Sequence, residues 1–241
     1  MTTPRDEASQ RRALAAAHRL VARNRWDDLV FTLLSARVPS EPQRLLVTPF
    51  PSLCGMTTAA SLVKVDLDGR VVDGAGRIDI DGFPLYGALH KARPDVNCIL
   101  HLHTTAGVAV SIMEEGFLPM SQTAMLVFGD LAYCDYAGIG RGDDDAVEAL
   151  GQKNNLILRN HGTIAVGRSV AEAYGRLHVL ECACAIQMAA LASGKKLSTV
   201  KRKIVASVEQ MGNTYLASGV LDDAWDSMVA LLDREEPDYA A

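Results

Sequence analysis

The sequence predicts an α/β fold in which helices cover a mixed β-sheet. Short runs rich in Leu and Val, separated by Pro or Gly, have the character of strands, and longer stretches carry apolar residues at helical spacing. The spacing between the strands varies and some neighbours resemble hairpins, unlike a strict β-α-β repeat. With 241 residues, of which 49% are hydrophobic, residues 1–241 are expected to form one domain with a sizeable core.

The individual elements follow from local patterns along the chain. The predicted helices cover residues 7–21, 83–93, 104–116, 121–129, 169–193, 199–217 and 221–233. The predicted strands cover residues 29–38, 44–48, 62–67, 95–103, 155–160 and 163–167. A hairpin turn is indicated by DLDG at 66–69, and a capping box at Ser169 begins the longest helix, which Gly194 ends. The acidic tail, residues 234–241, is expected to be unstructured.

Composition and charge exclude several functional classes. The net charge is −5, and the basic residues are scattered except for a group between Lys195 and Lys203, which does not indicate a nucleic-acid interface. No apolar run approaches the roughly 20 residues needed to span a bilayer. Five cysteines, an odd number, and a polar N-terminus without an apolar signal core indicate reduced thiols. We therefore expect a soluble cytoplasmic protein without nucleic-acid or membrane partners.

A histidine pair interrupts the apolar run CILHLHTTAG at residues 98–107. Side chains alternate between the faces of a strand, so His101 and His103 point the same way while Leu100 and Leu102 point into apolar packing. Two imidazoles about 7 Å apart at their backbones can converge on one ion. Taken alone, such a pair is as readily explained by packing as by metal binding.

A third histidine strengthens the metal interpretation. His161 lies at the end of another short apolar strand, in RNHG, where Gly162 permits a sharp turn. Three neutral imidazoles leave an open coordination position, which is typical of a catalytic site. His90 and His178 lie in predicted helices, where a packing or surface role is expected.

Longer stretches of the chain resemble a known family. Residues 81–140, 156–192 and 60–74, which contain ARPDV, the HLH pair and NHG in this order and spacing, are similar to the class II aldolase/adducin family and, within it, to the adducin-like branch. The resemblance covers about residues 8–193. It implies a three-layer α/β/α sandwich with a central mixed, largely antiparallel sheet, and a homotetramer whose sites lie near subunit interfaces.

The same resemblance implies a metal site and a chemistry. In the sugar-phosphate aldolases of the family, a divalent metal ion, usually zinc, is held by the residues that correspond to His101, His103 and His161; manganese, iron or cobalt would also fit. The metal polarises a carbonyl and stabilises an enediolate, and a glutamate acts as acid and base.

Two departures from the aldolase pattern change the expected substrate. Gly82, with Asp81 beside it, stands where the aldolases carry that glutamate. The two phosphate-binding segments of the aldolases correspond to FTLLS at 31–35 and TPFPS at 48–52. FTLLS lacks the glycine and asparagine of the first aldolase segment, and a proline interrupts TPFPS where it matches the second. A dianionic phosphate would be poorly held without those backbone donors. We therefore do not expect a sugar phosphate as the substrate.

Three functions stay open. The first is a divalent-metal-dependent carbon–carbon lyase, a decarboxylase or aldolase acting on a small non-phosphorylated hydroxylated or aromatic acid. Its proton donor would be Tyr136 or Asp81, with Tyr86 and Tyr133 as further candidates. The second is an oxygenase that uses Fe(II) and O₂, as some relatives in antibiotic biosynthesis do. The third is a non-catalytic assembly module like the adducin head, although we do not expect the long neck and basic tail of those proteins here.

Three further residues are candidates for binding the substrate. Arg159 could grip a carboxylate through two hydrogen bonds, although a surface salt bridge is an equal alternative. Thr104 follows the histidine pair and could present a helix N-terminus to an anion, but helix capping is the first expectation. Gln122 could reach the substrate or serve only the structure.

Overall fold

The computed structural model describes residues 6–138, 140–141 and 143–241. Its helices are α1 Glu7–Arg23, α2 Phe83–Ala92, α3 Thr105–Ile112, α4 Gln122–Phe128, α5 Asp143–Leu150, α6 Val170–Ala192, α7 Arg202–Tyr215 and α8 Leu221–Glu235. Its strands are β1 Leu33–Val38, β2 Glu41–Val47, β3 Val63–Asp66, β4 Val71–Asp73, β5 Cys98–Leu102, β6 Leu131–Cys134, β7 Asn155–Leu158 and β8 Gly162–Gly167.

The eight strands form one sheet in the order β4-β3-β2-β1-β5-β8-β7-β6. Every neighbouring pair is antiparallel except β6 and β7, which are parallel. The predicted mixed, largely antiparallel sheet is therefore confirmed. The strand that carries the histidine pair, β5, lies at the centre between β1 and β8.

Alternate residues of the central strands feed two separate cores. Leu100 packs in the core that includes Leu14 of α1, Tyr174 of α6 and Trp225 of α8. Its neighbour Ile99 packs on the opposite face with the core formed by α2 and α5. This alternation follows from the two-residue period of a strand. It produces the expected three layers, with helices on both faces of the sheet.

The first strand begins later than the sequence pattern predicts. The prediction covered residues 29–38, whereas β1 begins at Leu33. Leu29 has a positive φ of 47°, and the Phe31 amide donates to the Asp28 carbonyl at 2.8 Å, so this part of the apolar run forms a turn. A residue with positive φ cannot continue a strand. The turn brings Asp28 beside the histidine pair.

Three short elements were not predicted. They are the edge strand Val71–Asp73, the strand Leu131–Cys134 and the helix Asp143–Leu150. Each spans between three and eight residues. A pattern of period 2 or 3.6 needs a longer window than these segments offer. Their structure is therefore set mainly by the neighbours on which they pack.

The expectation of an unstructured tail is wrong. Helix α8 continues to Glu235, a short 3-10 helix covers Pro237–Ala240, and the Tyr239 side chain is fully buried. The Tyr239 hydroxyl donates to Asp233 at 2.5 Å and accepts from Arg12 of α1 at 3.1 Å. The acidic composition of the tail suggested solvation. Its cationic partners lie more than 200 positions earlier, where a local reading of the sequence does not find them.

Within the described ranges, no helix is both long enough and apolar enough to cross a membrane. All five cysteines are free thiols.

Candidate metal centre

Two neighbouring strands bring the three histidines together at one end of the sheet. His101 lies in β5, His103 directly follows it, and His161 directly precedes β8. Gly162 is required at this junction, since a Cβ there would lie 2.3 Å from the Leu102 carbonyl oxygen. The close approach that glycine permits sets the turn carrying His161 against the end of β5.

The Nε2 atoms of all three histidines converge on a single point. The distances between these atoms are 2.9 Å from His103 to His101, 3.0 Å from His103 to His161 and 3.3 Å from His101 to His161. Nitrogen ligands at roughly 2.0–2.1 Å from a tetrahedral ion stand about 3.3 Å apart. The donor set therefore fits a divalent cation with one position open, as predicted for these residues. Across the described ranges, no second group of three or more His, Cys, Asp or Glu side chains of this kind is found.

The opposite ring nitrogens hold His101 and His103 in the ligand form. His101 Nδ1 donates to the Thr163 carbonyl at 2.9 Å, and His103 Nδ1 donates to Asp28 Oδ2 at 3.2 Å. These bonds fix the tautomers and leave Nε2 unprotonated. Burial lowers the pKa of His101 well below its usual range, and burial together with the neighbouring His103 lowers the pKa of His161 to about 4. Neutral imidazole is the form that binds metal.

The histidines line a cavity of about 890 Å³. The aromatic side chains of Phe31 and Phe50 form part of its wall. Among the described residues, five aspartates and two arginines also line it, namely Asp28, Asp79, Asp81, Asp135, Asp143, Arg77 and Arg141. An apolar wall with a few convergent charged groups is the usual character of a small-molecule site.

Both predicted catalytic residues, Asp81 and Tyr136, line this cavity. The Tyr136 side chain is 53% exposed, and its ring centroid lies 6.2 Å from that of His161 in an edge-to-face arrangement. Asp81 is exposed at the start of α2, next to Gly82. Both side chains are therefore exposed and lie on the wall of the cavity that the histidines also line.

The other two candidate proton donors are engaged elsewhere. Tyr86 also lines the cavity, but its hydroxyl donates to the Leu33 carbonyl at 2.9 Å and burial raises its pKa well above the usual range. The Tyr133 hydroxyl accepts from the Phe117 amide at 2.7 Å, and Tyr133 is not among the described residues that line the cavity. The structure therefore leaves Tyr136 and Asp81 as the accessible pair.

Arg159 and Gln122 do not line the cavity in the part of the chain that the structure describes. Arg159 donates to the Met113 carbonyl at 2.7 Å, and its guanidinium lies 4.5 Å over the Tyr133 ring. Gln122 is an exposed residue at the start of α4. Within this chain, neither prediction of substrate binding gains support.

Thr104 has the structural role that was the first expectation for it. Its hydroxyl caps α3 by accepting from the Gly107 amide at 2.9 Å, and it donates its own hydrogen to the buried carboxylate of Glu181. Thr104 is 9% exposed and is not among the described cavity residues. With both hydrogen-bonding directions occupied, the hydroxyl is not available to a substrate.

Sequence reasoning missed several residues of the site, among them Asp28 and Asp79. Asp28 orients His103 across 75 positions, and nothing in its local pattern signals this contact. Asp79 Oδ1 accepts from the amides of Asp81 and Gly82, at 3.1 and 3.2 Å. The D-x-D-G spelling is a signal for this turn, since aspartate commonly accepts from amides two and three residues on. A Cβ at Gly82 would lie 2.7 Å from Asp79 Oδ2, so the aspartate occupies the space beside the glycine.

A mixed sheet between two helical layers, with an open three-histidine centre at one sheet end, defines the class of protein. The family described as the class II aldolase and adducin N-terminal domain matches residues 12–188. The chain belongs to this family, as its sequence motifs predicted.

Proteins from bacteria and animals are similar to this chain in sequence. A Caulobacter vibrioides protein that carries the name of aldolase class 2 is 42% identical over 232 residues, which cover 94% of this chain and 90% of the relative. Alpha-adducin of Mus musculus is 46% identical over 187 residues, covering 75% of this chain but 25% of that protein. The chain thus matches about a quarter of the adducin.

Solved structures share the fold. An aldolase II superfamily protein from Pseudomonas syringae superposes with a TM-score of 0.95 at 38% identity, covering 100% of this chain and 98% of that one. L-fuculose 1-phosphate aldolase from Glaciozyma antarctica superposes with a TM-score of 0.83 at 26% identity, covering 95% and 92% of the two chains.

Proposed function

We propose that this protein is a divalent-metal-dependent carbon–carbon lyase, a decarboxylase or aldolase, that acts on a small non-phosphorylated hydroxylated or aromatic acid, with zinc as the metal. The observation that carries the proposal is the convergence of three Nε2 atoms within 3.3 Å of one another beside a cavity of about 890 Å³. The open coordination position is the feature that separates catalytic from structural sites.

The residues of the site have separate proposed roles. A cation held by the three imidazoles would supply Lewis-acid stabilisation of the negative charge that develops as the carbon–carbon bond breaks. Tyr136 is proposed to deliver a proton to the carbon that keeps the electron pair, with Asp81 as the alternative donor. Arg77 and Arg141, the cationic side chains among the described cavity residues, are proposed to attract the substrate carboxylate.

Aromatic residues support a substrate without a phosphate group. The rings of Phe31 and Phe50 have centroids 6.5 Å apart, and the Arg77 guanidinium lies 5.3 Å from the Phe50 ring centroid. The Phe50 amide already donates to the Arg77 carbonyl at 2.7 Å, so it is not free to hold a phosphate oxygen. Two tilted aromatic rings beside a cation suit a planar acid better than a dianionic phosphate.

The experiment measures the metal content of the purified protein, then supplies hydroxylated aromatic acids to the Zn²⁺- or Mn²⁺-loaded protein while recording CO₂ release, cleavage products and O₂ uptake. We expect metal-dependent cleavage without O₂ uptake. Tyr136→Phe should lower kcat by roughly 10²- to 10⁴-fold, the range of general acid catalysis. Tyr215→Phe is the matched control, because Tyr215 is 51% exposed on α7 and outside the described cavity residues.

Other outcomes favour the alternatives. Iron in the purified protein and stoichiometric O₂ consumption would favour the oxygenase, because three histidines with open positions also suit Fe(II). No turnover on any acid, together with normal assembly of His103→Ala, would favour an assembly module; the 46% identity to alpha-adducin is the observation behind that alternative.

We further propose a cytoplasmic homotetramer. Apolar side chains at and near the cavity mouth, Phe31 at 52% and Ile80 at 76% exposed with Leu29 at 69%, offer surface for contact between subunits. Light scattering coupled to size-exclusion chromatography is expected to give about four times the 25.9 kDa chain mass. A monomer at micromolar concentration would contradict this assembly.

A further inference from the structure

We propose that Glu181 is a positioning residue for the histidine centre, a buried carboxylate that ties α6 to both segments carrying the metal ligands and adds negative charge behind them. Glu181 is 2% exposed. Its Oε2 accepts from the Thr104 hydroxyl, and its Oε1 accepts from the Thr163 hydroxyl. This inference rests on the metal-binding part of the proposed function.

The direction of each hydrogen bond identifies the side chain as an acceptor at both oxygens. The Thr104 hydroxyl oxygen accepts from the Gly107 amide at 2.9 Å, and its hydrogen is donated to Glu181 Oε2. The Thr163 hydroxyl donates to the other carboxylate oxygen. Burial raises the pKa of Glu181, and the two donated hydrogen bonds oppose that shift by favouring the ionised carboxylate. A neutral acid or an amide would turn a donor toward one of the hydroxyls.

The cluster is closed to other partners. A Cβ at Gly107 would lie 3.0 Å from the Thr104 hydroxyl oxygen, 3.0 Å from Thr163 Cγ2 and 3.1 Å from Glu181 Oε1. Glu181 forms no ion pair with the described residues. An anion buried without a cation is costly. A nearby dication would offset that cost, which gives the carboxylate a reason to be there beyond packing.

The two threonines connect Glu181 to all three ligands. Thr104 directly follows His103, and Thr163 lies two positions after His161. The Thr163 carbonyl also accepts from His101 Nδ1 at 2.9 Å. One carboxylate therefore clamps the end of β5 against the start of β8, the junction at which the three Nε2 atoms meet. In the low-dielectric interior, its charge also acts on a bound cation more strongly than a surface charge would.

The test compares metal affinity in Glu181→Gln and wild type by competition with a chromogenic chelator for Zn²⁺, using protein stripped of metal. We expect the dissociation constant to rise roughly 10- to 100-fold, the usual effect of losing a group that supports metal ligands. The absorption bands of the Co²⁺-loaded variant are expected to shift, because the ligand geometry relaxes. Glu172→Gln is the matched control, since Glu172 lies on the same helix but pairs with Arg176 at 3.0 Å, and its affinity should stay within about twofold of wild type.

A second pair of variants keeps the inference testable if Glu181→Gln does not fold. Thr163→Val removes one donated hydrogen bond and keeps the side-chain shape, so it should weaken Zn²⁺ binding several-fold, whereas Thr163→Ser keeps the hydroxyl and should restore it. Wild-type affinity and an unchanged Co²⁺ spectrum in Glu181→Gln, or equal affinities for Thr163→Val and Thr163→Ser, would overturn the inference. If wild type itself binds no metal, the proposed function fails instead.

Discussion

His90 and His101 lie on the same face of the sheet and are almost equally buried, at 1% and 5% exposure, yet they have different chemistry. His90 Nδ1 accepts from Arg37 at 3.2 Å, and its Nε2 donates to the Ser35 hydroxyl at 2.9 Å. Burial and the adjacent Arg37 lower the pKa of His90 to about 3. Both of its ring nitrogens are satisfied by neighbouring side chains.

The histidine centre uses the same residue type in the opposite way. The Nδ1 atoms of His101 and His103 are bonded to a carbonyl and a carboxylate, while the Nε2 atoms face one another across at most 3.3 Å. The Nε2 atoms of His101 and His103 are both unprotonated and lie 2.9 Å apart, which is unfavourable unless an ion joins them. The comparison teaches that the partners of the ring nitrogens, rather than burial, distinguish a ligand from a core histidine.

The largest expected effect is the loss of Zn²⁺ binding when one of the three ligands is removed. His103→Ala should weaken Zn²⁺ binding on the order of 1,000-fold, because one of three protein bonds to the cation is lost. Equilibrium dialysis with elemental analysis measures this. His178→Ala is the control, since His178 packs 5.2 Å from Trp26 and does not line the cavity. Equal metal stoichiometry in both variants would remove the histidine centre from consideration.

The reciprocal substitution should affect stability instead. His90→Ala is expected to lower the free energy of unfolding by roughly 2–4 kcal/mol, because it leaves a cavity and unpaired polar groups on Ser35 and Arg37. Urea unfolding monitored by circular dichroism measures the change. Zn²⁺ affinity should stay at the wild-type value; a matching loss of metal binding would show that the two histidine regions are coupled.

A smaller loss of Zn²⁺ affinity is expected from removing a single hydrogen-bond partner of the histidine centre. Asp28→Ala removes the carboxylate that holds His103 Nδ1, so Zn²⁺ affinity should fall roughly 10- to 100-fold. The neighbouring Asp27→Ala is the matched control, because Asp27 is exposed and forms no hydrogen bond with the described residues. Chelator competition on both proteins makes the comparison, and identical affinities would argue against the orienting role.

The smallest effect per unit change is the pH dependence of stability. Unfolded histidine takes up a proton near its ordinary pKa of 6.5, whereas folded His90 does so only near 3. Between these values the unfolded chain binds one more proton than the folded chain. The stability that neutral His90 contributes is therefore fully present above pH 6.5 and is lost as the pH falls toward 3, by about 1.4 kcal/mol per pH unit. Urea unfolding at pH 7, 6 and 5 should show a shallower loss for His90→Gln. An unchanged slope would indicate that His90 is not buried in its neutral form.

Local sequence patterns carried much of the fold and the ligand set. Alternation in CILHLH put Leu100 and Leu102 in one core and the two histidines on the other face, and the helix from Ser169 to Gly194 followed from its caps. These are signals of short range, in which the residue and its close neighbours decide the outcome. Elements too short for a period, such as Leu131–Cys134, gave no such signal.

The parts that sequence reasoning missed depend on distant contacts. The tail after α8 looked solvated until Arg12 and Arg19 of α1 supplied its partners. The position of Arg159 beside His161 suggested substrate binding, but its guanidinium donates to the carbonyl of Met113, 46 positions earlier. In each case the local composition does not reveal the role, because the partner that decides it lies far away in the chain.

The sequence by itself determined the period of the strands, the caps of the helices and the identity of three histidines, because each depends on residue type and local spacing. Only the tertiary structure decided which histidines are ligands, which donors stay accessible and which carboxylates support them. The physical reason is that hydrogen-bond partners and desolvation belong to the packed chain: Asp28 meets His103 and Glu181 meets Thr104 across separations of 75 and 77 positions, which no local pattern encodes.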